Sequence, residues 1–545
     1  MRRPVLPSIL ALALAALFVA PVSAIEPGGA ANETLTGTLD ALYVETFHES
    51  HPREQFELRT RTGSIPLAFA DGGPEDLAGA KVKVTGRRLG HRLEVGSSRP
   101  GHDLQVLATA EENLSAGGTA TADSGTGSVS TASVTSKNLA IILINFKDNT
   151  SAPFAKSTVQ SALTGSSTSV KAFYEEEAKG RWSISGSVFG WYTLDTTSTS
   201  CDWSTWTTMG SNAAAAAGVN LSGYTNLLYV IPSTSSCGWA GVAYVNGNKS
   251  VMNGNISVQV MTHELGHNFG LGHANALYCT NSSGTRVAIE STTNCTSKGY
   301  QDPFSTMGNN ALRHNHGSQL GELGFLSSSE KVTGAPGNTY TIAPYLGSGP
   351  VKLVRVPRGD GTFLDLDFRT PYGNFDNFTA GSPAVVGVTI RLAVGTASPT
   401  SSPKGTDLID TTPSTTDLKD APLLVGKTLK DPVSGLSFTT LSSDSTGVKV
   451  QVKEGVSPGA PGSLSATADG TPSVALAWGA ATDNVGLAGY KVTRNGATLT
   501  TVNAPATSWT DTSPAFGTTY TYGVAAVDTS GNVGPAVTQS VTTPA

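Results

Sequence analysis

The stretch His263-Glu264-Leu265-Gly266-His267-Asn268-Phe269-Gly270-Leu271-Gly272-His273 decides what kind of domain this chain contains. Two histidines four positions apart lie on one face of a helix, a turn apart, and can offer imidazole nitrogens to a single ion. Met261, Leu265 and Phe269 fall on the opposite side and can bury against a core, so one period accounts for both faces. Gly270 permits the positive φ that ends a helix and turns the chain, which brings His273 back toward the same ion. Three neutral imidazoles leave the fourth position of a tetrahedral Zn²⁺ open for water, whose pKa the metal lowers to about 7. Glu264 adjoins the first histidine without being needed on the metal. It is placed to take a proton from that water and pass it to a leaving amine.

Working outward, the run Leu139-Ala-Ile-Ile-Leu-Ile-Asn-Phe146 is apolar except for Asn145, as a strand buried on both faces would be. Ser157 to Glu177 reads as helical, with Val159, Leu163, Val170, Phe173 and Tyr174 near helical spacing and Gly165 interrupting them. Leu227 to Ile231 is a second buried strand, and the histidine helix follows it. Strands alternating with helices predict a mixed α/β domain over 137–330. Before it, residues 25–112 alternate in short runs such as Gln55 to Leu58 and Lys81 to Val84, which predicts a small β-domain, a partly open barrel. Residues 113–136 are mostly Ser, Thr, Gly and Ala and read as a linker. Short strands with Gly and Pro turns over 331–455, such as Val351 to Val356, Val386 to Leu392 and Val448 to Val452, predict a β-sandwich.

The last segment, 460–545, carries Trp478 in Val474-Ala-Leu-Ala-Trp478, then Tyr490 to Gly496 and Tyr520 to Asp528. Its strand spacing resembles a fibronectin type III module, and its aromatics read as core residues. The chain is thus expected to be multidomain, as its 545 residues also require.

Residues 1–24 read as a signal peptide. Arg2 and Arg3 supply the positive end, Ile9 to Val19 is apolar but short for a bilayer, and Val22-Ser23-Ala24 offers a cleavage site. This predicts a secreted, extracellular protein without a membrane span. Four cysteines in such a chain read as two disulfides, for which local loops favour Cys201 with Cys237 and Cys279 with Cys295. Apolar content of 38% and charged content of 14% suit folded domains rather than a disordered chain. A net charge of -6 gives no reason to expect nucleic-acid binding.

The eleven-residue pattern resembles that of the metzincin metallopeptidases. Downstream, Tyr300-Gln-Asp-Pro-Phe-Ser-Thr-Met307-Gly308 looks like their methionine turn, and together the two look most like the gametolysin family of secreted zinc endopeptidases over roughly 139–326. The resemblance implies a metzincin-like catalytic domain with one zinc on His263, His267 and His273, Glu264 as base and Met307 as the floor beneath the metal. It implies protein or peptide substrates, such as matrix or cell-wall proteins. Two features depart from the pattern. No tyrosine closely follows Met307, and no cysteine precedes Cys201 to latch the zinc of a zymogen.

A compact 25–112 unit on a loose tether nevertheless predicts a propeptide, cut within 113–138 and blocking the cleft by sterics or by an oxygen or imidazole ligand. His102 is a candidate for that ligand, although a surface histidine is its plainer reading. His314 and His316 are expected in a solvated loop. Asp202, Asp302, Asp365 and Asp367 could serve a structural Ca²⁺, but no loop has the ligand spacing. Asn-x-Ser/Thr triplets begin at Asn32, Asn113 and Asn149. The competing function is a catalytically silent adhesion or matrix-binding protein on a peptidase scaffold. Glu264 argues against it, since a scaffold has no use for a base beside zinc.

Overall fold

The computed structural model describes residues 32–45, 53–71, 73–74, 77–108, 134–292, 294–308, 312–394, 405–468, 470, 472–483, 486–529 and 531–545. The signal peptide and nearly all of the 113–136 linker lie outside the described residues. The N-terminal unit has six strands: β1 (Asn32–Glu45), β2 (Arg53–Thr60), β3 (Gly63–Phe69), β4 (Lys81–Leu89), β5 (Arg92–Val95) and β6 (Leu104–Ala108). In β4 the alternation is plain: Val82 and Val84 point into the core and Lys81 and Lys83 outward. β1 pairs with both β2 and β4, which curls the unit toward a barrel around Leu39, Leu58, Val82, Val84, Leu93 and Leu104.

β1 continues past that unit. Its last four residues pair antiparallel with β10 (Gly241–Tyr244), so the N-terminal unit and the next domain share one sheet. The second part of this sheet contains β7 (Thr135–Phe146), β8 (Trp182–Leu194), β9 (Asn226–Ile231), β10 and β11 (Lys249–Asn253). Its order is β1-β10-β11-β9-β7-β8, parallel from β11 to β8, with β10 antiparallel to β11. The sequence presents 25–112 as a unit of its own, because pairing between β1 and β10 leaves no local pattern.

β7 is buried on both faces, as its apolar run requires. Ala140, Ile142 and Ile144 join one core with Trp206, whereas Leu139, Ile141 and Leu143 join another with Phe173, Met261 and Leu265. The helices covering these faces are α1 (Lys156–Gln160), α2 (Val170–Ala178), α3 (Trp203–Ala216) and α4 (Val258–Asn268). The expected helix over Ser157 to Glu177 is broken where expected. α1 passes into a π-helical turn ending at Gly165, and Ser169 caps α2 by accepting from Ala172 N. Among the described residues no helix is long and apolar enough to cross a membrane.

After α4 the chain leaves this sheet. β12 (Ala274–Cys279) pairs antiparallel with β13 (Cys295–Lys298) and parallel with the strand Thr406–Ile409. The expected boundary at 330 is therefore crossed: both strands extend the sheet of the C-terminal sandwich. That sheet continues through Gly387–Val394, Thr362–Asp367, Leu353–Pro357 and Lys331–Thr333. It packs on a four-stranded sheet through Leu366, Ile390, Phe438 and Val450. Residues 465–542 form a three-stranded and a four-stranded sheet around Trp478, Tyr490 and Tyr522. Disulfides join Cys201 to Cys237 and Cys279 to Cys295, the latter pair facing each other across β12 and β13.

Candidate metal centre and active site

Ser257 starts α4 by accepting a hydrogen bond from Val260 N, and Met261 and Leu265 hold its inner face in the core. The opposite stripe carries His263 and His267, whose Nε2 atoms lie 3.2 Å apart. The helix ends at Asn268, and Phe269 is its C-cap. Gly270 follows with φ of 97°, and a Cβ there would lie 2.4 Å from Asn246 Oδ1, so the turn requires glycine twice over. The turn delivers His273. Ligand atoms of the three histidines all fall within 4.8 Å of one another, and each residue is buried.

The outer ring nitrogens decide what this cluster can bind. His263 Nδ1 lies 2.9 Å from Thr306 O, and His267 Nδ1 lies 2.8 Å from Leu271 O. A carbonyl only accepts, so each Nδ1 carries the proton and each Nε2 turns a lone pair inward. Two lone pairs facing each other at 3.2 Å in a buried site repel unless a cation lies between them. The donor set therefore fits a metal ion, with backbone carbonyls fixing the ring orientations.

Met307 lies fully buried beneath α4. A Cβ on Gly266 would come 2.3 Å from its sulfur, so the helix meets the methionine at a residue with no side chain. Ala274 N donates to Met307 O at 2.9 Å, and Thr306 Oγ1 lies 3.0 Å from Thr262 Oγ1, tying this loop to both ends of the histidine motif. Glu264 is also fully buried. A Cβ on Gly241 of β10 would stand 1.9 Å from its Oε1, so this glycine makes the room the carboxylate occupies.

Two tyrosines that sequence reasoning passed over complete the surroundings. Tyr300 sits 4.4 Å from His273 and 6.0 Å from His263, centroid to centroid, and holds φ at 59°. Only the residues after Met307 were expected to supply a tyrosine, and this one comes before it. Tyr43 of β1 lies 4.6 Å from His267 and 4.3 Å from His273. No spacing connects it to the motif. It arrives through the β1–β10 pairing.

Other expectations are corrected. His314 and His316 are buried, not solvated, and neither joins the three-histidine group. His314 Nδ1 lies 3.2 Å from Asp376 and its Nε2 3.4 Å from Glu176. Burial opposes the charged imidazolium, but Asp376 and Glu177 outweigh it and hold the pKa above the usual value. His316 accepts or donates at Thr406 Oγ1, 2.7 Å away, and burial together with Arg391 and Arg369 keeps it neutral. His102 is exposed and outside the metal group. The four Ca²⁺ candidates are otherwise engaged. Asp202 caps α3, Asp365 pairs with Arg355, and Asp302 and Asp367 share Arg391. A different acidic group, Glu454, Asp483 and Asp528, comes together where the sandwich meets the C-terminal module.

Residues 129–312 match the family model described as gametolysin peptidase M11. An α-amylase of Niallia circulans is 44% identical over 89 residues, 16% of this chain and 7% of its own length. Chitinase 63 of Streptomyces plicatus is 46% identical over 79 residues, 14% of this chain and 13% of its own. The chain spans no more than 16% of the length of the curated relatives it matches. Among solved structures, the third fibronectin III domain of human KIAA0343 protein is 19% identical, covering 16% of this chain and 84% of that one, at a TM-score of 0.15. The match to the gametolysin family points to a peptidase.

Proposed function

We propose that this chain is a secreted zinc-dependent endopeptidase that hydrolyses peptide bonds of extracellular proteins. The observation that carries this reading is the pair of inward Nε2 lone pairs, fixed by carbonyl contacts at both Nδ1 atoms. His263, His267 and His273 would hold the metal. Bound Zn²⁺ would supply a Lewis acid that polarises the scissile carbonyl and acidifies water. Glu264, buried beside the first ligand, takes the proton of the attacking water and returns it to the leaving amine. Its burial keeps competing bulk water from the carboxylate. Met307 gives the site an apolar, immobile floor.

The test is Glu264→Gln. The amide preserves shape but accepts no proton, so one equivalent of zinc should remain while casein hydrolysis falls at least about a hundredfold. Retention of full activity would assign the base elsewhere. Retention of zinc in a variant lacking both His263 and His267 would remove the metal assignment.

A further inference from the structure

We propose that Glu177 and His314, both outside the three-histidine group, are positioning residues for the metal centre, joined in a buried strut that ties α2 and the sandwich to the loop carrying Met307. The inference rests on the metal assignment above and adds what holds that site in place.

The strut starts on α2, where Glu177 is fully buried. One of its carboxylate oxygens accepts from Asn315 N and the other from Asn315 Nδ2 at 3.0 Å. Asn315 Oδ1 lies 3.4 Å from Ser305 Oγ, which donates to Gln319 and accepts from Met307 N. Gln319 Nε2 in turn donates to Gly272 O, next to His273. His314 fixes the same segment from the sandwich side, with Nδ1 3.2 Å from Asp376 and Nε2 3.4 Å from Glu176. Arg369 donates to the backbone oxygens of His314 and Asn315 and to Asp376. Together these contacts hold Arg313 to Asn315, and Arg313 O accepts from Thr306 N at 3.0 Å. Thr306 O is the carbonyl that orients His263. α2 also acts directly behind that ligand, since Tyr174 Oη donates to Thr262 O at 2.7 Å. Two of the three imidazoles are thus reached from one strut.

The strut is made of charges sealed from water. His314 lies between the rings of Phe173 and Phe375, each 5.4 Å away. A Cβ on Gly373 would stand 1.8 Å from Glu176 Oε1, so the sandwich backbone closes over that carboxylate. A cavity of about 20 Å³ beside His314, lined also by Lys352 and Asp367, has room for about one water. Below neutral pH, His314 and Arg369 face Asp376 and Glu176, with Arg313 half-buried at the rim and Tyr174 and Tyr345 as neutral phenols. Burial raises Glu177 to about 7 and so keeps it uncharged there, against His314, Asn315 and Arg369. Burial alone would lower His314, but Asp376 and Glu177 hold it above its usual value. Both groups are raised, so the stability each contributes is present in acid and lost as pH rises through the folded value. Above neutral, three carboxylates, Glu176, Glu177 and Asp376, face Arg369 beside a neutral imidazole, and like charges in a low dielectric repel strongly. The strut slackens, and the hold on Thr306 and Gln319 slackens with it. A zinc site on its own behaves in the opposite sense, because protonation of its histidines weakens it as pH falls.

The experiment uses the full zinc-loaded chain and reads the rate at which dipicolinate extracts the zinc, beside hydrolysis of quenched fluorescent casein and the visible absorption of the cobalt-substituted site. Dividing each variant's rate by that of wild type at the same pH cancels the protonation of the ligands themselves. His314→Gln removes the imidazolium. It should speed extraction at least about fivefold at about pH 6 and converge on wild type by about pH 9, where wild type has lost the same charge. Adding Glu176→Gln removes one negative charge as well, and should bring the rate at about pH 6 back to within about twofold of wild type, with the wild-type cobalt bands. Glu177→Gln covers the case in which His314→Gln does not fold. It stays uncharged, so its extraction at about pH 9 should be at least about threefold slower than wild type. A constant ratio for His314→Gln across the range, a double variant no slower than the single one, or Glu177→Gln no slower than wild type would overturn the proposal. If extraction follows the expected pattern in a chain that cleaves no casein, the strut stands and the peptidase reading fails. If wild type binds no zinc, both fall.

Discussion

Gly241→Ala tests whether β10 positions the base. The added Cβ would lie 1.9 Å from Glu264 Oε1, 2.5 Å from Cδ and 3.0 Å from Cγ. A carbon and an oxygen not bonded to each other settle at about 3.3 Å or more, so the oxygen must retreat by roughly 1.4 Å. In an exposed glutamate that would cost a rotamer change. Glu264 is fully buried, with nowhere to swing, so the carboxylate tilts away from its working position or β10 backs off. A misplacement of about 1 Å in a catalytic group lowers the rate by about 10²-fold. The three histidines stand on α4 and the turn after it rather than on β10, so metal binding should survive. The variant should thus lose about a hundredfold in kcat with one zinc still bound, measured by peptide hydrolysis beside metal analysis. Activity within threefold of wild type would refute the claim that Gly241 exists to seat the carboxylate. Loss of zinc would refute the claim that β10 acts on the base alone.

The remaining predictions concern buried charge. Arg391 is fully buried between Asp302 and Asp367, so Arg391→Leu should strip two buried carboxylates of their shared guanidinium and cost about 3–5 kcal/mol, read from the urea midpoint; a loss below about 1 kcal/mol would contradict it. Burial raises the carboxyl of Glu177 to about 7, against contributions from His314, Asn315 and Arg369. A group raised in the folded state gives stability below its unfolded pKa that is lost as pH rises through the folded one. Stability should therefore fall between about pH 4.5 and pH 7 by an amount on the order of 3 kcal/mol for this group, and Glu177→Gln should flatten that slope in urea titrations across the range. An unchanged slope would show that Glu177 ionises normally.

What the sequence disclosed followed the range of each interaction. The histidine pair, the turn at Gly270 and the apolar back of α4 are local, and a helical period with one glycine is enough to write them down. Cys279 and Cys295 are close in sequence and face each other across a hairpin. Met307 was found through resemblance, because nothing in a lone methionine marks a floor. Tyr43, Gly241 and the partnering of β12 with Thr406–Ile409 were out of reach, since strand pairing at long range has no period to betray it. His314 and His316 looked like a polar loop for the same reason. Their partners Asp376 and Thr406 lie far along the chain, and only the folded sheet shows that those polar residues are buried together.

The sandwich is more than an appendage to this site, because the geometry gives it part of the work. A helix fixes two ligands by itself. The third, His273, stands on a turn and would be loose without external support. Thr406 N donates to His273 O at 3.0 Å, and Ala274 then enters the sandwich sheet opposite Thr406. Gly405 is needed at that approach, since a Cβ there would lie 2.8 Å from His273 O. Gln319 donates to Gly272 O at 3.1 Å and accepts from Ser305 Oγ at 2.7 Å, and that same oxygen receives Met307 N at 3.1 Å. Arg391, on the Gly387–Val394 strand, holds Asp302 at the start of the methionine loop. Each of these supports comes from residues beyond 312, where the match to the peptidase family ends. The piece of this chain that keeps all of these supports therefore runs from the parallel sheet through at least Ile409, and a cut at 330 would take away Thr406 and Arg391 and leave the His273 turn held by Met307 and Gln319 alone.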